Sequence, residues 1–241
     1  MLAGTAFVAG TQWLIVSVVA HRGGPAGLGQ ISLAVTTLFW GAGATLQFIV
    51  LKWAEVSLDM SLSQAAILQA VVAVGVAAGA IFAASRVPLK KSLSVLPVGI
   101  AMGIAVMMMA FYTRNLFPAH WGFYFGHMHV SGYLILAYIF LMIVGGLSGF
   151  FVVPMNALLQ HRGHVLLSAG HSIAVQNFNE NLSVLVMLCL YAVLVWLDVP
   201  VSAVIVLFGT FVCVMMWFVM RRHQANQRAF DSVALIGEVK H

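Results

Sequence analysis

Most of the polarity that falls inside an apolar run is concentrated in Gln176, Asn177, Asn179, Glu180 and Asn181. At 3.6 residues per turn Asn177 and Asn181 share a helix face, while Gln176 stacks with Glu180 and lies near Asn179. A carboxylate near the bilayer centre costs something like 2.5–3.5 kcal/mol on insertion scales, so Glu180 must face a bundle interior or a water-filled cavity. Two uses fit. The amides can act as interhelical hydrogen-bond glue, with Glu180 near the surface, paired or protonated, or the cluster can line a cavity. The second reading is preferred. Glu180 is the only acid inside a predicted span: Asp198 sits at a helix junction, and Glu55, Asp59, Asp231 and Glu238 lie in loops or the tail.

Other reactive residue types are less promising. Among nine histidines, His127 and His129 with His120 upstream, and His161 with His164, have spacings that could bind a transition metal. No carboxylate lies in Arg114–Ser131, however, and Trp121, Phe123 and Tyr124 there suit an interfacial aromatic belt. Cys189 and Cys213 both sit in apolar runs without Cys/His partners, so they read as small core residues rather than a disulfide or zinc pair. The string Gly146-Leu147-Ser148-Gly149 misses the nucleophile-elbow spacing. With no nucleophile–base pair or metal set, neither an enzyme nor a cofactor is expected.

The elements that position these residues follow from composition. The chain has 241 residues, 62% hydrophobic and 7% charged, whereas soluble domains carry roughly 45–50% apolar and about 25% charged residues. Seven apolar runs have the length of membrane helices: Leu2–Ala20, Leu28–Leu51, Ala65–Ala84, Leu93–Thr113, Gly132–Met155, Ala169–Leu197 and Pro200–Met220. Barrel strands would instead be short alternating segments. This is an all-α membrane protein, and its net charge of +5 belongs to loops beside anionic lipid rather than to nucleic acid.

Alternate loops divide the basic residues nine to two, with only Lys52 and Arg114 on the poorer side. The positive-inside rule then places the C-terminus in the cytoplasm and Met1 outside. Leu2–Ala20 lacks the basic flank of a signal peptide, and an in-plane segment is a second alternative. The preferred reading is an interior helix of a longer protein.

Small residues recur at Gly41 and Gly43, at Gly75 and Gly79, and at Gly145, Gly146 and Gly149 ahead of Pro154. They suit close helix packing or bending between states. The loop Asn156–Ser168 could lie along the cytoplasmic surface. Arg86, Lys90 and Lys91 form the densest internal basic cluster, read first as a topological signal and second as a contact for anionic headgroups.

Three strings, TTLFWGAGATLQFIVLKW, GGLSGFFVVPMNALLQHRG and SAGHSIAVQNFNENLSVLVML, resemble the C-terminal half of bacterial lysophospholipid transporters, within the major facilitator superfamily. The likeness runs from about Leu28 to Arg222. It implies half of a major-facilitator-type fold, a six-helix bundle plus one preceding helix, from a carrier of two such halves that rock about a central cavity. Residues 1–22 would then be the sixth helix, 28–222 the C-terminal bundle and 223–241 a cytoplasmic tail.

Trp40, Gly41 and Gly43 match the family's seventh helix, Pro154, Asn156 and Gln160 the tenth and the loop after it, and Gln176, Asn177, Glu180 and Asn181 the eleventh. The family often has a basic residue where this chain has Gln47, and a longer linker than His21–Gly27. The resemblance implies movement of lysophospholipid, chiefly lysophosphatidylethanolamine, to the inner leaflet of the bacterial inner membrane. Its implied partners are membrane lipid, the missing N-terminal half and an acyltransferase/acyl-carrier-protein synthetase. Glu180, Asn177, Gln176, Asn181, Gln47 and Trp40 are the candidate substrate-binding or coupling residues. A facilitator for another amphiphile or drug, and a non-transporting subunit or truncated remnant, are the alternatives.

Overall fold

A computed structural model describes residues 27–116, 122–125, 128–166, 169–229, 231, 234 and 236. The expected first span, Leu2–Ala20, lies outside them. Among the described residues six helices are long and apolar enough to cross a membrane: α1 Gly27–Leu58, α2 Leu62–Arg86, α3 Leu96–Met109 with a 3-10 segment Leu89–Val95 leading into it, α4 Gly132–Leu166, α5 Ala169–Trp196 and α6 Val201–Ala229. The protein is an all-α, multi-pass membrane protein. Between α3 and α4 the chain adds one short hairpin, β1 Gly122–Phe125 against β2 Met128–Ser131, with Gly122 opposite Ser131.

Local chemistry sets the helix ends. Ser61 opens α2 with a reciprocal capping box, its Oγ accepting from the Gln64 N–H while Gln64 Oε1 accepts from the Ser61 N–H at 2.9 Å. Pro88 forces the residue before it out of helical conformation, and Val87 is extended there. Asp59 and Asp198 take left-handed backbone angles, with φ of 56° and 51°. At Asp198 the reversal satisfies two helix-end carbonyls, Val199 N–H donating to Leu194 O at 3.1 Å and Asp198 N–H to Val195 O at 3.0 Å.

Several helices outrun their apolar segments. Lys52–Leu58 continues α1, Arg221–Ala229 continues α6, and the expected surface loop from Asn156 continues α4 to Leu166. Asn156–Leu166 carries Leu158, Leu159 and Leu166 with Ala157, Gln160 and Arg162, all good helix formers, and its single Gly163 does not break the helix. Arg162, counted in the sequence as a loop charge, is consequently 1% exposed. Pro154 is likewise accommodated within α4, as membrane helices tolerate where neighbouring helices re-satisfy the backbone.

The packing pairs α2 with α4, α3 with α6 and α1 with α5, and α1 also meets α4 and α6. Each run of three helices thus lends its first helix to the second helix of the other run, and the two third helices pack together. Lipid supplies no hydrophobic drive between helices, so association depends on close approach of small residues. At the α2/α4 seam a Cβ added to Gly75, Gly79, Gly145 or Gly149 would fall 2.0–2.3 Å from a backbone oxygen of the facing helix. These glycines are packing surfaces. Gly103 and Gly209 serve α3 and α6 similarly, each facing the other's carbonyl oxygen.

The end of the bundle at Leu58 is fastened by aromatics. Buried Trp53 donates from Nε1 to Met109 O at 3.0 Å and Tyr112 O at 3.2 Å, covering the carbonyls at the end of α3. Tyr112 in turn donates to Tyr133 O at 2.6 Å and stacks on Phe140.

Candidate functional site

The first helix positions the site. Its Gly41 lies against Ser183 of α5, where a Cβ would come within 2.2 Å of the hydroxyl, and its Phe39 ring meets Phe151 of α4 at 6.0 Å. Phe48 pairs with Tyr191 at 6.2 Å further along. These contacts run in step, so α1 and α5 are parallel with a fixed register.

The face of α5 turned into the bundle carries Asn179, Ser183 and Met187, all buried. Asn179 is 8% exposed and donates back to Val175 O at 2.7 Å. Glu180 stands at the border of that face, half-buried, and accepts a 2.8 Å hydrogen bond from Gln176 Nε2. Asn177 and Asn181 are exposed one step further round, joined by a 2.7 Å bond from Asn181 Nδ2 to Asn177 O. The polar string therefore forms a graded strip from bundle interior to open surface.

On α1, Trp40 and Gln47 are both exposed, two turns apart on one side of the helix. Glu180 lies three residues before Ser183 and Gln47 six residues after Gly41, so the two stand nine residues apart along the shared axis, about 13 Å. Trp40 is nearly level with Glu180. The structure thus brings Trp40 level with Glu180 and Asn181, sets Gln176 and Asn177 between one and two turns nearer the Gly27 end, and leaves Gln47 apart. Gln47 instead presents its backbone oxygen to Gln69 Nε2 of α2 at 2.7 Å.

Asn156 Oδ1 on α4 and Thr37 Oγ1 on α1 are buried without hydrogen-bond partners among the described residues. Gln160 is exposed. Gln69 and Thr37 were not singled out in the sequence. Gln69 is signalled only by being a lone amide in an apolar run, and Thr37 looks like any membrane threonine until its neighbours are known. Cys189, expected in the core, is exposed. Among the described residues no three His, Cys, Asp or Glu side chains come together to hold a metal ion.

Charge is distributed unequally between the two ends. Lys52 and Arg114, at the Leu58 end, are each paired with an acid, Glu55 at 3.0 Å and Asp59 at 2.9 Å. Arg86, Lys90, Lys91, Arg162, Arg221, Arg222 and Arg228 crowd the opposite end.

A multi-pass bundle with membrane-embedded amides and one half-buried carboxylate defines a polytopic membrane protein with a polar intramembrane strip. Curated relatives make the class specific. The chain is 42% identical over 178 residues to the lysophospholipid transporter LplT of Yersinia enterocolitica serotype O:8 / biotype 1B, a stretch covering 73% of this chain and 39% of that protein. It is 43% identical over 176 residues, with the same shares, to the LplT proteins of Yersinia pestis (strain Pestoides F) and Yersinia pseudotuberculosis serotype O:3 (strain YPIII). No family model and no solved structure matches. The chain is similar to these lysophospholipid transporters over about three quarters of its own length, and it spans about two fifths of the length of the relatives it matches.

Proposed function

We propose that this chain forms the C-terminal six-helix half of a lysophospholipid transporter, carrying lysophospholipid, chiefly lysophosphatidylethanolamine, to the inner leaflet of the bacterial inner membrane by alternating access. The observation that carries this reading is the 176–178-residue stretch shared with proteins named lysophospholipid transporter. The interlocked pairing of α1–α3 with α4–α6 supports it, because nested three-helix repeats are the organisation of each half of a major facilitator carrier. The orientation follows from the crowding of basic residues at the Gly27 end, which makes that end and the C-terminus cytoplasmic.

In this reading the strip of Gln176, Glu180, Asn177 and Asn181, with Trp40, faces the cavity between the halves. Glu180 attracts the ammonium of the headgroup or carries a coupling ion, and the amides orient the polar part of the lipid. Gln47 replaces a cation common in the family, so no acid–base lock operates from α1 at that position. An acyltransferase/acyl-carrier-protein synthetase on the cytoplasmic side would consume the delivered lipid.

Transport of labelled lysophosphatidylethanolamine in cells lacking their own carrier is the test. The 241-residue chain alone is expected to be inactive, and co-expression of a matching N-terminal half is expected to restore uptake. Robust transport by the chain alone would overturn the two-half reading, and restored transport of other amphiphiles but no lysolipid would overturn the substrate.

A further inference from the structure

At the Leu58 end of the α1/α5 seam, one cation, one anion, one phenol and one apolar ring lie together on open surface. Lys52 Nζ and Glu55 Oε2 are 3.0 Å apart, with side chains 44% and 64% exposed. Tyr191 of α5 stands against the same stretch of α1, its ring 6.2 Å from that of Phe48 and its hydroxyl reaching Phe48 O at 3.4 Å. Phe48 is itself half-exposed.

Depth gives this group its meaning. Lys52 follows Gly27, the start of α1, by 25 residues, which is about 37 Å of helix. That distance exceeds the hydrocarbon thickness of about 30 Å and ends in the headgroup layer. Tyr191, 22 residues into α5, stands about 33 Å along, where aromatic side chains with a polar tip collect. The group therefore sits where a lipid headgroup lies.

We infer that Lys52, Glu55, Tyr191 and Phe48 form a recognition site for the headgroup of a zwitterionic lysolipid that carries a primary ammonium. The site rests on the transport reading above and adds a first point of capture at the outer surface, separate from Glu180. An exposed pair spaced i,i+3 is held weakly, so a ligand with complementary charges can take both partners at small cost. Lys52 and the Tyr191 hydroxyl meet the phosphate. Glu55 accepts hydrogen bonds from the ammonium, a contact that a quaternary amine cannot make and that a glycerol headgroup replaces only with neutral hydroxyls. Phe48, one turn nearer the membrane centre, supports the first methylenes of the acyl chain.

The experiment measures binding of lysophosphatidylethanolamine and lysophosphatidylglycerol, with equal acyl chains, to the full chain in nanodiscs by native mass spectrometry. Lys52→Gln should weaken both ligands, whereas Glu55→Gln should weaken the ethanolamine lipid by roughly five-fold and leave the glycerol lipid unchanged or tighter. Both side chains are exposed, and the charge-swapped double variant Lys52→Glu/Glu55→Lys keeps the pair should either single variant fold poorly; it should retain the ethanolamine lipid. Equal effects of Glu55→Gln on both ligands, or none, overturn the site while leaving the transport reading intact. A parental chain that binds neither lysolipid also overturns the site, whereas a two-half carrier that transports no lysolipid overturns the transport reading itself. Free phosphoethanolamine, which lacks the acyl chain that rests on Phe48, should displace the lysolipid poorly when added as a competitor; displacement at equal concentration shows that the headgroup alone is read and overturns the lysolipid assignment.

Discussion

Glu180 accepts a hydrogen bond from the Gln176 amide at 2.8 Å, on a helix whose inward face is otherwise amide, hydroxyl and thioether. Glu180→Gln keeps volume and hydrogen bonding and removes the charge, so it separates the two uses of the cluster. In the reconstituted two-half carrier, Glu180→Gln is expected at normal levels in the membrane with transport lowered roughly ten-fold or more, about 1.4 kcal/mol of lost attraction; Glu180→Asp should keep part of the activity. A carboxylate that merely bonds its neighbours predicts the reverse order, since an amide is tolerated where a buried charge is not needed. Parental transport by Glu180→Gln at equal protein would leave Glu180 as packing. The cluster was legible in the sequence because amides and an acid interrupting an apolar run are conspicuous. Lys52, Glu55 and Tyr191 were not legible as a group, since their proximity depends on how α1 is rotated against α5.

At the scale of the element, glycines that look alike in the sequence separate into packing and open positions. Gly79 meets the Gly146 backbone, with an added Cβ only 2.0 Å from the carbonyl oxygen, whereas Gly43 has nothing within 4 Å. Gly79→Ala should therefore destabilise the purified chain by about 1–3 kcal/mol through a backbone clash. Gly43→Ala should be neutral or stabilising by up to about 1 kcal/mol, because alanine favours helix. Thermal unfolding in detergent decides, and a stabilised Gly79→Ala would show that the α2/α4 seam is not held at that distance. Helix extents divide in the same way. Hydropathy located every described span, yet it ended α4 near Met155 although its helix runs to Leu166, because loss of apolar character marks where lipid ends and not where backbone hydrogen bonding ends.

For the whole molecule the decisive quantity is orientation. Both cations at the Leu58 end are paired with carboxylates, while the Gly27 end holds the remaining described basic residues. Single cysteines at Lys90 and at Arg114, in a background lacking Cys189 and Cys213, should show opposite behaviour toward a membrane-impermeant thiol reagent. The cysteine at position 114 is expected to react in intact spheroplasts, and the one at position 90 only after the cells are opened. Labelling of position 90 from outside would reverse the orientation and, with it, place the Lys52/Glu55 group in the wrong leaflet.

Composition and the lengths of apolar runs were enough by themselves to determine an all-α membrane protein, the order of the six described spans and the helix that carries the polar strip, because exclusion of charge from hydrocarbon acts on each segment independently. Tertiary structure decided the rest. It put Arg162 inside the bundle, set Gln47 about 13 Å along the axis from Glu180 while bringing Trp40 level with it, and made the α2 and α4 glycines a contact surface. Each of these depends on the register and rotation of one helix against another, which close approach at small residues establishes and which no single helix encodes alone.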